Sequence, residues 1–171
     1  HGGRRHGGLS GRGVETVLEL EIPARPEYVA IVRLVVSSLA AARRAVADER
    51  VDDLKLAVSE ACTNAIEAQR GSGSTELVGI RIVEGKDRLE VRIRDSGPGF
   101  DPDSLPEHPP VTDPERLNFE RGLGIPLMRT LVDELSFQPG AQGTTVVMTL
   151  FGGPVGEDET SEILRAVLES E

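Results

Sequence analysis

Between Val14 and Phe151 the apolar residues switch repeatedly between a period of two and a period near 3.6. The order is strand, helix, helix, strand, strand, loop, helix, strand, strand, which predicts an α/β sandwich with helices on one face of a mixed, mostly antiparallel sheet. Val14 to Ile22 alternates and stops at Pro23. Helical spacing runs from Pro26 to about Val46 and again from about Val51 to Gln69, ending at the Gly-Ser run 71–74. Two alternating segments, "TELVGIRIVEG" and "DRLEVRIRD", meet near Gly85-Lys86-Asp87 as an antiparallel pair. "GLGIPLMRTLVDEL" returns to helical spacing through Leu127, Leu131 and Leu135, and the strands "LSFQPG" and "GTTVVMTLF" come after it.

Aromatic residues make up only 3% of the 171, so the core must be built from Leu, Val, Ile and Ala. The length suits one domain with a sizeable core, or one domain with tails. Residues 1–13 read as a flexible leader, residues 14–151 as the domain, and residues 152–171 as an acidic tail with a short amphipathic helix carrying Ile163, Leu164, Val167 and Leu168. A net charge of −10 argues against direct binding of nucleic acid, which requires basic surface. A single cysteine, Cys62, excludes an internal disulfide and reads as a small buried residue. No apolar run is long enough to span a membrane, so a cytoplasmic location is expected.

Four short motifs carry the chemistry. In "SEACTNAIEA", Glu60 and Asn64 stand four apart and share a helix face. They are either an exposed polar pair or a working one, since an Asn oxygen suits Mg²⁺ and a carboxylate one turn away can take a hydroxyl proton. In "RDSGPGFDP", Asp95 ends a strand and is followed by Gly97 and Gly99. That is turn chemistry, or an acid that reads a ligand brought close by the glycines. In "RGLGIPLMR", Gly122 and Gly124 open a helix whose free N–H groups favour phosphate, and Arg121 adds a permanent charge. Thr144 and Thr145 come after Gly143 at the start of the last strand. Residues 100–121 hold five prolines and little periodicity, the composition of a functional or disordered loop. The spacing of a P-loop and the third glycine of a dinucleotide fingerprint are both missing.

In this order and on these elements, the motifs resemble those of the Bergerat-fold (GHKL) ATPases, over about residues 15–151. The resemblance implies ATP and Mg²⁺ as cofactors. Asn64 would hold the metal, Asp95 the adenine amino group, and Thr144 would support that contact. Gly97 and Gly99 would pass close to the nucleotide, Gly122 and Gly124 would flank its phosphates, and residues 100–121 would form a lid. Within the superfamily, "ELEIPARPEYVAIVR", "SEACTNAIEA" and "ERGLG" are most similar to the serine-kinase anti-sigma factors. That similarity implies a homodimeric serine protein kinase that binds a sigma factor and phosphorylates an anti-anti-sigma partner. Glu60 would be its catalytic base and Arg121 its γ-phosphate contact. A module that only sequesters a partner and a kinase domain detached from a larger signalling protein are the alternatives. Ala68, where many relatives have His, and the proline-rich lid depart from the pattern.

Overall fold

The computed structural model describes residues 15–42, 46–98 and 124–152. The expected leader, the lid at 100–121 and the C-terminal tail lie outside the described residues, as do Gly99, Arg121 and Gly122. Strand β1 (Thr16–Ile22) is followed by a single 3-10 turn, Pro26–Tyr28, and helix α1 (Val29–Ala42). Pro26 suits the first turn of a helix because its missing N–H would have no partner there. Helix α2 (Asp48–Gly71) leads to β2 (Val78–Glu84) and β3 (Arg88–Arg94). Helix α3 (Gly124–Leu131), β4 (Glu134–Pro139) and β5 (Thr144–Phe151) complete the described chain.

The sheet order is β1-β2-β3-β5-β4, and every pairing is antiparallel. The sequence allowed for a mixed sheet, but no parallel pair occurs among the described residues. The register explains this: β2 begins with Val78 beside Ile22, where β1 ended, so α1 and α2 return the chain to the same end and β2 runs back along β1. Leu135, expected on the last helix, lies instead in β4 opposite Met148. The helix stops because Asp133 is captured by the sheet. Its N–H donates to the Thr149 carbonyl at 3.0 Å, and its carboxylate accepts the Phe151 N–H at 2.8 Å.

One face of the sheet presents Ile80, Ile82, Leu89, Val91, Ile93, Met148 and Leu150 to the helices. Against them α2 buries a stripe running through Leu54, Val58, Ala61, Ala65 and Gln69. Burying each large aliphatic side chain contributes roughly 1.5–3 kcal/mol relative to leaving it exposed. As the composition required, aliphatic residues build this core, with Tyr28 and Phe137 only partly buried at its margin. Cys62 is fully buried on α2, and burial pushes its thiol pKa from 9.0 up to about 12. The opposite face mixes Val17, Val83 and Val147 with charged residues, among them Arg81 and Arg92, which lie directly across from one another in the register and are held by Glu19 (2.7 Å) and Glu90 (2.6 Å).

Candidate active site

Two groups of side chains assemble along α2, one turn apart. The first forms where α3 begins. Gly124 is buried against Glu60 and Asn64, and a Cβ on it would lie 3.0 Å from Glu60 Oε2 and 3.5 Å from Asn64 Nδ2. A glycine therefore lets the N-terminus of α3 settle onto the face that carries the acid and the amide. The other end of this short helix is held from the start of α2, where Arg50 donates to the Leu131 carbonyl at 3.2 Å and to the Asp133 carboxylate at 2.7 Å. Both Glu60 and Asn64 are half-buried. The pairing expected from their spacing is present, and so is the glycine helix start expected beside it.

The second group forms where β3 ends. Asp95 is 6% exposed, and its N–H donates to the Thr144 carbonyl at 3.0 Å. The Gly97 N–H donates to Asp95 Oδ1 at 2.8 Å, which fixes the carboxyl plane. Among the described residues the other carboxylate oxygen has no protein partner. Thr144 is 4% exposed, and its Oγ1 is buried without a hydrogen bond among the described residues. Leaving a buried hydroxyl unpaired costs about 1–3 kcal/mol, so Thr144 and Asp95 together present an unmet demand for a polar ligand or water. That combination fits a purine edge bearing an amino group.

The glycines here serve close packing. Gly143 has φ +99°, and a Cβ on it would fall 1.9 Å from the Asp95 carbonyl oxygen. Gly97 lies flat on the last turns of α2, where a Cβ would sit 2.9 Å from the backbone of Ala68. Sequence reasoning assigned Gly97 to the approach of a nucleotide; the contact the described residues give it is with α2.

One participant was missed. Gln69 is fully buried, its side-chain oxygen accepts the Ser96 N–H at 3.3 Å, and its amide nitrogen donates to the Glu76 carbonyl. The signal was available, because Gln69 occupies the next position on the apolar stripe after Ala61 and Ala65, where a polar side chain needs a partner.

Ala68 lies one helical turn beyond Asn64, about 6 Å along the axis. The acid, the amide, the start of α3 and the Asp95 turn are thus all indexed to one helix. Among the described residues no cluster of three His, Cys, Asp or Glu side chains could hold a metal. Asn64 fits Mg²⁺, which binds through few protein groups and completes its shell with water and phosphate. A concavity of about 680 Å³ lies elsewhere, on the sheet face turned away from the helices, lined by Arg81, Arg92, Arg94, Gln138 and Thr145 among others. It contains none of Glu60, Asn64 and Asp95, so the chemistry is assigned to the helix side.

The described chain is an α/β sandwich that combines a helix-borne acid and amide, a buried aspartate at a strand end and a glycine helix start. Residues 22–150 match the model of the histidine kinase-like ATPase domain, and the chain belongs to that family. It is 44% identical over 144 residues to the serine-protein kinase RsbW of Bacillus pumilus, covering 80% of this chain and 88% of the relative. To the serine-protein kinase RsbW of Bacillus subtilis it is 42% identical over 149 residues, covering 84% and 91%. A crystal structure of the RsbU and RsbW domains of a Mycobacterium tuberculosis protein superposes with a TM-score of 0.58 at 18% identity. That match spans 81% of this chain and 33% of the longer one, and it supports the fold.

Proposed function

We propose that this kinase transfers the γ-phosphate of ATP, with Mg²⁺, to a serine of an anti-anti-sigma protein, and that it holds a sigma factor when that partner is unavailable. The observation that carries the reading is the convergence of Glu60, Asn64 and the start of α3 one helical turn from Ala68, on which Gly97 of the Asp95 turn rests. The family and the RsbW relatives at 42–44% identity supply the reaction class.

In this reading Asp95 accepts a hydrogen bond from the adenine amino group, and Thr144 Oγ1 meets the same edge directly or through water. The free N–H groups at the start of α3 and the glycines Gly122 and Gly124 cradle the phosphates. Asn64 contributes its amide oxygen to Mg²⁺, which neutralises phosphate charge when bound. The partner's serine Oγ attacks the γ-phosphorus, the bond to the β-bridging oxygen breaks, and ADP leaves. Glu60 takes the serine proton as the new bond forms. Arg121 and Gly99 join the phosphate and base ends respectively, and residues 100–121 close over the nucleotide. The test is direct. Purified protein with ATP, Mg²⁺ and a candidate anti-anti-sigma protein is expected to yield phosphoserine by mass spectrometry. A partner that binds but stays unphosphorylated would reject the kinase reading and leave sequestration.

The reading places the protein in the cytoplasm, in regulation of transcription under stress; no described helix is long and apolar enough to cross a membrane. It also implies a homodimer. Among the described residues β1 is an edge strand paired only with β2, and such an edge invites a partner. Helix α1 carries more apolar positions than one buried stripe needs (Ile31, Val32, Leu34, Val35, Val36 and Leu39), but Val32 and Val36 are buried and Val35 and Leu39 pack partly against the core. The large apolar side chains that α1 leaves exposed are Ile31 (50%) and Leu34 (67%). Leu34→Glu is therefore expected to shift the dimer toward monomer by at least about tenfold in dissociation constant without unfolding it. Light scattering that finds the same mass for variant and wild type would remove this face from the interface.

A further inference from the structure

The side chain of Gln69 ties the end of α2 to the connector before β2 and to the turn after β3. It is fully buried at the end of α2, yet none of the roles above uses it. Its Oε1 accepts the N–H of Ser96, the residue directly after Asp95, and its Nε2 donates to the carbonyl of Glu76 in the connector to β2. The backbone carbonyl of the same residue accepts from Ser72 Oγ (2.8 Å) and from the Ser74 N–H (3.2 Å). The Ser96 hydroxyl then donates to the Glu76 carboxylate at 2.8 Å, closing a ring of contacts around the turn.

Ser96 and Gly97 set the orientation of Asp95. Its carboxylate is oriented by the Gly97 N–H, Gly97 rests on Ala68, and the Asp95–Ser96 peptide before it is fixed by Gln69. The last turn of α2 thus grips both residues after Asp95, one by backbone packing and one by a side-chain hydrogen bond. Without the Gln69 amide, the Ser96 N–H and the Glu76 carbonyl lose these buried partners, and the Ser96 peptide is free to rotate toward water. The Asp95 carboxyl would turn with it.

We infer that Gln69 is a positioning residue for base recognition: it locks the Ser96 peptide so that the Asp95 carboxylate faces the purine amino group. The inference rests on the proposed role of Asp95 and adds to it the part of α2 that enforces that role. A residue that matters only for packing would weaken binding of all nucleotides together. One that aims Asp95 affects the choice between bases, because a site built around a hydrogen bond rejects the analogue that cannot make it.

The experiment measures affinities of the full chain for ATP and for inosine triphosphate, whose purine carries oxygen in place of the amino group. Wild type is expected to prefer ATP, and Asp95→Asn sets the floor. Gln69→Met keeps the length and removes the amide; it is expected to cut the preference about tenfold. Gln69→Ala leaves room for water and gives the same reading should the Met variant not fold. Leu89→Val, a core change on β3 away from Gln69, is expected to lower stability and leave the preference unchanged. If wild type shows no preference, the role of Asp95 fails and this inference fails with it. If the wild-type preference is present and survives in the folded Met and Ala variants, Gln69 alone loses its role.

Discussion

Glu60→Gln is expected to retain ATP and lose phosphoryl transfer by about 10²-fold or more. The substitution removes the proton acceptor while keeping the size of the side chain. Size matters at this position because the start of α3 rests on it, with the Cβ direction of Gly124 pointing at Glu60 Oε2. A shorter replacement would open that contact and confuse chemistry with packing. Single-turnover transfer to the serine partner, beside calorimetry of ATP, separates the two effects. Asn64→Ala, in the same assay, is expected to weaken nucleotide binding in a Mg²⁺-dependent way. Wild-type transfer rates in Glu60→Gln would end its assignment as the base.

The second large effect is at Gly143, where Ala is expected to destabilise the fold by about 2–5 kcal/mol, combining a strained backbone with an overpacked contact. The total stability of a domain is typically only ~5–15 kcal/mol. Gly143 has φ +99°, and the new Cβ would lie 1.9 Å from the Asp95 carbonyl oxygen and 2.9 Å from Ser96 Cα. Neither neighbour is the loose end of a side chain. The turn bearing Asp95 would have to move, so nucleotide affinity is expected to fall with stability. Gly71→Ala is the matched control: it ends α2, and a Cβ there meets nothing within 4 Å. Urea denaturation of the pair reads the difference, and equal midpoints for Gly143→Ala and wild type would refute the argument.

Strand β3 was legible because one face lies against the helices and its residues alternate throughout, and β2 alternates as far as Ile82, whereas β5 is buried almost continuously from Val146 to Leu150 and reads as a short β-branched run. Helix α2 was legible from its stripe, and Glu60 and Asn64 from their spacing on it. The end of α3 was not. Leu127, Leu131 and Leu135 keep helical spacing, while Leu135 and Phe137 also alternate, and what decides between them is the capture of Asp133 by β5, a contact distant in sequence. Gln69 escaped notice for a related reason, since a glutamine near a helix end reads as solvent-facing until the strand-end turn that covers it is in place. The packing role of Gly97 likewise depends on a helix that lies far earlier in the chain.

Helix α2 acts as a gauge. From Glu60 to Gln69 it sets both the separation and the angular phase between the acid, the amide and the turn that carries Asp95. One residue added or removed inside that span would rotate everything beyond it by about 100°, carrying Gln69 off Ser96 and presenting a different surface to Gly97. No rearrangement of side chains compensates for a phase error of that size. The hairpin link at Gly85–Asp87 is under no such constraint, because it is exposed apart from the half-buried Gly85 and joins strands whose register is already fixed by pairing. In descendants of this chain, length is therefore free to drift at the hairpin and is held constant between Glu60 and Gln69.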